Sequence, residues 1–229
     1  MKIDEKLILQ CLIELNKNIQ TKKLYRDYYE GKHSILADYK MQDSRSNMRL
    51  VFNFPRKFID NETGYLLGKP VNYVSKSDNE NIIDAIDLNT SHWDKEHNIN
   101  LRKQSEIYGE AYELNYVNSE GEFSAAILNP LNCYVLEDGT AERNALLAIH
   151  KYTKHFDDKL YMDVYTDTEI LHYQIGTVNS GASYSGGNLT YQGNHSHIFG
   201  RVPVLVCPAN SERKSGFHDI ISLFDAYNA

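Results

Sequence analysis

The stretch 53–70, N-F-P-R-K-F-I-D-N-E-T-G-Y-L-L-G-K-P, holds a helix start, a helix body and a helix stop with nothing to spare. Asn53 can accept a hydrogen bond from a first-turn N–H, and Pro55 falls in that turn, where a missing N–H costs nothing. Phe58, Ile59, Tyr65 and Leu66 recur near helical spacing. Gly68 ends the helix and Pro70 forbids its return. With this helix bounded so sharply, the elements on either side must end before it or begin after it.

Before it, residues 4–19 read as an amphipathic helix with Leu7, Ile8, Cys11, Leu12, Leu15 and Ile19 on one stripe. A second short helix over 21–30 is closed by Gly31. Residues 32–47 are polar and poorly periodic, a loop or arm. After it comes a short strand at 71–75, then a helix at 79–88. Ser91 would cap a longer helix ending near Gly109, anchored by Trp93, Ile99 and Ile107.

The periodicity then switches from helical to alternating. Residues 111–117 and 123–128 form a hairpin around Asn118-Ser119-Glu120-Gly121. Asn129-Pro130 breaks the run. Strands follow at 133–136, 145–155, 160–166 and 169–174, with Asp157-Asp158 in a turn. Residues 174–197 hold five Gly and four Ser and read as a flexible hairpin tip or loop. A proline-bounded strand covers 203–208. A last helix, 217–229, carries Ile220, Ile221, Leu223, Phe224 and Tyr227 on a broad apolar face. Helices, then antiparallel strands, then a helix predict an α+β fold. Three regions are expected: a helical arm and loop over 1–47, an α+β body over 48–212, and the final helix over 213–229.

Composition narrows the function classes. Hydrophobic residues make up 41% and charged residues 24%, enough apolar content for a real core. The net charge of −7 divides unevenly, +4 over residues 1–60 and −11 over 61–229. A dedicated nucleic-acid binder shows a basic stripe, and this chain has none; its acidic part repels phosphate. Cys11, Cys133 and Cys207 are odd in number and far apart, which argues against a disulfide framework or a structural zinc site. No apolar run reaches the ~18 residues of a membrane span.

Catalytic patterns are absent or weak. No G-x-S-x-G, H-E-x-x-H or phosphate-binding glycine loop occurs. His195 and His197 would share a strand face, where a metal could bridge them with His172 as a third ligand; surface histidines are the simpler reading. Asp157, Asp158, Asp163 and Asp167 lack the calcium-loop spacing and read as turn residues. Glu106, Glu110 and Glu113 read as exposed helix charges, because no partner that would shift a pKa is evident. Lys22, Lys23 and Arg26 lie near Tyr25, Tyr28 and Tyr29, which read as packing rather than base-stacking residues. No catalytic, cofactor-binding or metal-ligating residue is therefore assigned, and no enzyme activity is expected.

Four segments occur in an order that resembles one family. They are Tyr28-Tyr29-Glu30-Gly31-Lys32-His33; Arg49-Leu50-Val51-Phe52-Asn53-Phe54 leading into Gly64-Tyr65-Leu66-Leu67-Gly68-Lys69-Pro70-Val71; Ile107-Tyr108-Gly109-Glu110-Ala111-Tyr112; and Leu223-Phe224-Asp225-Ala226-Tyr227-Asn228. Together the chain resembles a bacteriophage portal protein of the long-tailed phages and related prophages. The resemblance implies a structural protein of the virion: a dodecameric ring at one capsid vertex, assembled in the host bacterial cytoplasm. It packages and ejects DNA and acts as the head-to-tail connector. It implies these partners: further copies of itself, the major capsid protein, a scaffold, the terminase large subunit, a head–tail adaptor, and double-stranded DNA passing without sequence-specific binding. It implies no cofactor and no membrane. It further implies that the chain corresponds to the N-terminal, wing-containing portion of such a protein, with its last helix expected to lead toward a stem that this sequence does not include. The structural motif residues carried over are Tyr28, Tyr29, Gly31, Asn53, Gly64, Tyr65, Gly68, Pro70, Gly109, Asp225, Tyr227 and Asn228. A metal-dependent hydrolase or nuclease accessory domain using His195 and His197, or a generic adaptor domain, is the alternative.

Overall fold

The computed structural model describes residues 4–38, 50–177 and 189–228. They form helices α1 (Glu5–Tyr29), α2 (Ile35–Asp38), α3 (Phe54–Leu67), α4 (Glu80–Thr90), α5 (His97–Tyr108) and α6 (Ile221–Asn228). The strands are β1 (Glu110–Val117), β2 (Phe123–Leu128), β3 (Cys133–Glu137), β4 (Ala145–Thr153), β5 (Lys159–Tyr165), β6 (Glu169–Thr177), β7 (Thr190–Ser196) and β8 (Val204–Pro208). The fold is α+β. Two compact units divide the chain, one of residues 1–20, 74–93 and 112–206, the other of residues 21–73, 94–111 and 207–229.

The first unit is built on a five-stranded antiparallel sheet in the order β3-β4-β5-β6-β7. Period-two alternation gives each strand two faces. Leu147, Ile149, Met162, Val164, Tyr173 and Ile175 face Ile8, Cys11, Leu12 and Leu15 of α1 in one core. Full burial of each such aliphatic side chain is worth about 1.5–3 kcal/mol. Residues of the opposite faces, Val135, Ala148 and Tyr165, join Tyr112 and Leu128 of the β1–β2 hairpin and Val204 in a second core. The sheet that supplies those last residues has the order β2-β1-β8. With both faces covered, a one-residue slip in β5 would exchange its two sets of side chains between different cores. Helix α4 lies on β2, and Trp93 Nε1 donates to the Phe123 carbonyl at 3.0 Å.

In the second unit α3 packs with α5. The start of α3 is as its sequence specifies: Asn53 Oδ1 accepts from the Arg56 N–H at 3.2 Å, and the helix ends before Gly68.

Several local expectations are corrected. The two N-terminal helices are one, because no Gly or Pro interrupts residues 19–21 and the first breaker is Gly31, at φ +83°. The Asp4 carboxylate opens it by accepting from the Leu7 N–H at 2.9 Å. Residues 71–75 carry no strand; Val71, Tyr73 and Val74 are exposed, so pairing would bury no apolar face. Ser91 closes α4 rather than opening α5, which starts at His97. The far part of the Gly/Ser-rich stretch is ordered as β7, held by backbone pairing to β6 despite its polar side chains. Residues 178–188 of that stretch lie outside the described residues. The final helix opens with a 3₁₀ turn over His218–Ile220 before α6.

Candidate functional site

The second unit gathers motif residues from the first, second and fourth segments into one junction. The end of α1 brings Tyr28, which is 2% exposed. Its hydroxyl donates to the Asp225 carboxylate, whose oxygens lie at 2.8 and 2.7 Å, while Ser34 Oγ sits 3.0 Å away. Burial first, and the carboxylate next to it, hold the Tyr28 phenol above its ordinary value. His33 stacks on the Tyr28 ring, centroids 4.7 Å apart. Asn228 Nδ2 donates to His33 Nδ1 at 3.1 Å, and Asn228 Oδ1 accepts from the Phe52 N–H at 2.9 Å.

Gly31 is what turns the chain from Tyr28 to His33, and its φ of +83° is the left-handed conformation that costs glycine least. Asn53 spans two segments: Nδ2 donates to the Tyr29 carbonyl at 2.9 Å while Oδ1 caps α3. Tyr29 donates its hydroxyl to Asp60 at 2.9 Å, beside Lys103 at 3.1 Å from the same carboxylate. Burial, then this hydrogen bond, push the Tyr29 phenol up to about 12.

Below these polar contacts lies an aromatic layer. Phe224 of α6 is buried and packs its ring against Phe54, Phe58 and Phe217, at 6.5, 6.0 and 6.4 Å between centroids. Tyr227 meets Phe52 and Phe54 edge-on at 5.6 and 5.2 Å but stays 63% exposed. The apolar face of the last helix is therefore partly spent inside the unit. Phe224 belongs to that interior, while Leu223 and Tyr227 stand outward.

The third segment is placed in the same unit by a separate set of contacts. Gly109 ends α5 at φ +87°, and a Cβ there would overlap the Arg213 carbonyl. The strand after it starts with Glu110, which accepts from Lys22 at 2.8 Å and Arg213 at 3.3 Å. Glu106, one turn before Gly109, pairs with Arg102, and its backbone carbonyl accepts from the Gly216 N–H and Ser215 Oγ, both at 3.0 Å. Burial, opposed by Arg102, raises the Glu106 carboxyl.

The rest of the second segment stays outside. Gly64 has open space where a Cβ would point, and Tyr65 is 90% exposed. Its Phe58 and Leu66 are also exposed, while Thr63 is buried, its hydroxyl donating to the Ile59 carbonyl at 2.7 Å. Glu106 and Glu110 are corrected from exposed helix charges to buried carboxylates facing cations. Lys22 and Arg213 are partners that no local sequence signal announces, being 88 and 103 residues from Glu110. Asp157 is the turn residue expected, accepting from the Lys159 N–H and the Tyr161 hydroxyl. Among the described residues, no group of three or more His, Cys, Asp or Glu could hold a metal ion.

These contacts join segments that a sequence family would have to keep together. A family model described as phage portal protein, SPP1 Gp6-like, matches residues 9–229. The chain belongs to the phage portal family. The portal protein of Bacillus phage SPP1 is 27% identical over 217 residues, which cover 90% of this chain and 42% of that relative. The chain thus spans less than half the length of the portal protein it matches. No helix among the described residues is long and apolar enough to cross a membrane.

Proposed function

We propose that this chain is the wing-containing part of a phage portal, a structural element of the ring at the capsid vertex. In that role it contributes to packaging, ejection and head-to-tail joining. The observation that carries the reading is the family match over residues 9–229. The α+β body, residues 48–212, is the wing, and the motif junction fixes the final helix to it. The complete ring is dodecameric, and its partners are the capsid protein, scaffold, terminase large subunit and head–tail adaptor. Duplex DNA passes without sequence-specific binding. The net −11 over residues 61–229 supports this, since fixed negative charge does not grip phosphate. We assign the chain no catalytic turnover; the ATPase of such a system belongs to the motor partner. The virion vertex is its final location, reached by assembly in the host cytoplasm.

The test compares residues 1–229 with a chimera in which the remainder of the SPP1 portal protein follows residue 229. Light scattering and electron microscopy should show a monomer or weak oligomer for the first and a large ring for the second. A folded chimera that never forms rings would overturn the assignment. A ring from residues 1–229 alone would keep the portal reading and move the assembly contacts into this region.

A further inference from the structure

We infer that His172 and His195 form a two-histidine binding site for a divalent transition-metal ion that seeks imidazole, Cu²⁺ or Ni²⁺ before Zn²⁺. The site is independent of the motif junction and lies in the other compact unit. Sheet register creates it. Asp163 of β5 stands opposite His172 of β6, and the unbroken register in which Ile170 faces His195 and His172 faces Gly193 sets His195 of β7 diagonally beside His172 on the same face. Asp163 Oδ1 accepts a hydrogen bond from the Nδ1–H of His172 at 2.6 Å and also accepts from the Tyr152 hydroxyl at 3.2 Å. With Nδ1–H so committed, His172 Nε2 keeps its lone pair. That nitrogen faces His195 Nδ1 at 2.9 Å.

A single proton fills that gap when no ion is bound, and a cation can replace it. Two imidazole nitrogens at ~2.05 Å from one ion lie about 2.9 Å apart when the angle between them is 90°, and about 3.3 Å apart at the tetrahedral angle. The observed separation is that of a hydrogen bond, so both nitrogens reach a shared ion with little movement apart; affinity in the divalent series peaks at Cu²⁺, and tetragonal nitrogen sites suit Cu²⁺ and Ni²⁺. The ring planes are within 24° of parallel with centroids at 4.9 Å, so each ring must turn to aim its lone pair at a shared ion. His195 is exposed on the outermost strand of the sheet and has the freedom to do so. Asp163 supplies the carboxylate that orients a ligating histidine and raises its basicity. Next to the pair is a cavity of about 480 Å³, also lined by Tyr116, Tyr165 and Phe199, which leaves room for water on the ion's remaining positions.

The geometry corrects the pairing expected from H-x-H. His197 does not share the site: its Nε2 lies 3.1 Å from the Thr166 carbonyl, and its Nδ1 accepts from the Phe199 N–H at 3.3 Å. An ion on His172 and His195 ties the edge strand to its neighbour. The consequence is stabilisation of the β6–β7 pair.

Isothermal titration of untagged protein with NiCl₂, and the electron paramagnetic resonance spectrum with CuCl₂, test this. One equivalent should bind, with copper showing nitrogen hyperfine structure, and Ni²⁺ should raise the thermal midpoint. His195→Ala, on the exposed strand, should remove the binding and the thermal shift without loss of circular dichroism. Asp163→Asn should weaken binding by about tenfold or more. The inference is overturned if no ion binds, or if an equivalent still binds to His195→Ala with unchanged affinity. Neither outcome bears on the portal reading.

Discussion

Replacing Gly109 by Ala tests the close approach of two segments far apart in sequence. The position has φ +87°, and an added Cβ would overlap the Arg213 backbone carbonyl. The left-handed conformation alone costs a non-glycine residue about 1–2 kcal/mol. The clash adds to it, because the obstacle is backbone and not the end of a flexible side chain. Moving residues 213–216 away strains the Gly216 N–H and Ser215 Oγ bonds to the Glu106 carbonyl, and the Ala209 N–H bond to the Gly109 carbonyl. Each is worth about 1 kcal/mol. Loss of one or two of them brings the total to about 2–4 kcal/mol. Two other glycines separate the contributions. Gly121 has φ +84° and nothing within 4 Å of its Cβ position, so Gly121→Ala should cost only the conformational part. Gly31, in the same unit as Gly109, has φ +83° and only the Asn53 side chain at 3.2 Å, which can shift. Urea unfolding followed by hydrogen exchange in residues 207–217 reads the effect where it acts. Equal losses for all three variants would show that the approach of the Arg213 carbonyl carries no cost, and the reasoning would fail.

Removing the Tyr28 hydroxyl as Phe should cost about 1–2 kcal/mol, the low end for a bond to a charged group because Asp225 keeps some access to water; hydrogen exchange in α6 should accelerate, and an additive double-mutant cycle with Asp225→Ala would refute a direct bond. Burial lowers the His33 imidazole, against the opposing pull of Asp225, so the stability it contributes is complete above the ordinary value of 6.5 and falls as pH drops through its lower folded value. Below pH 6.5 the unit should lose stability more slowly in His33→Phe than in wild type, and parallel urea midpoints between pH 7 and 5 would argue against it. Lys22→Met leaves Glu110 buried with Arg213 still beside it and should cost about 2–3 kcal/mol, less than the 3–5 kcal/mol expected when a buried charge loses its whole partnership; a neutral effect by thermal unfolding would sink the claim. Phe224→Asp puts a charge into the aromatic layer and should unfold the junction rather than merely reduce self-association, which circular dichroism and light scattering distinguish.

Elements whose signals are local were legible along the chain. Asn53, Pro55 and Gly68 bound α3 because a cap, a missing N–H and a helix stop act within a turn of where they stand. Alternation placed β1 through β6, and Asn118 to Gly121 made the hairpin, because side-chain period and turn chemistry need no distant partner. The four motif segments were visible as wording, and the three histidines that line the cavity, His172, His195 and His197, as letters. The partners of these residues come from the folded arrangement. Tyr28 reaches Asp225 across 197 residues, and Glu110 meets Lys22 across 88. Such pairs leave no periodic trace, since the energy that selects them is desolvation and hydrogen bonding at one point. The same reason governs β7, where polar side chains gave no strand pattern and backbone pairing to β6 supplied the order. It governs the histidines as well: sequence spacing put His195 with His197, and the pairing register of two strands put it with His172.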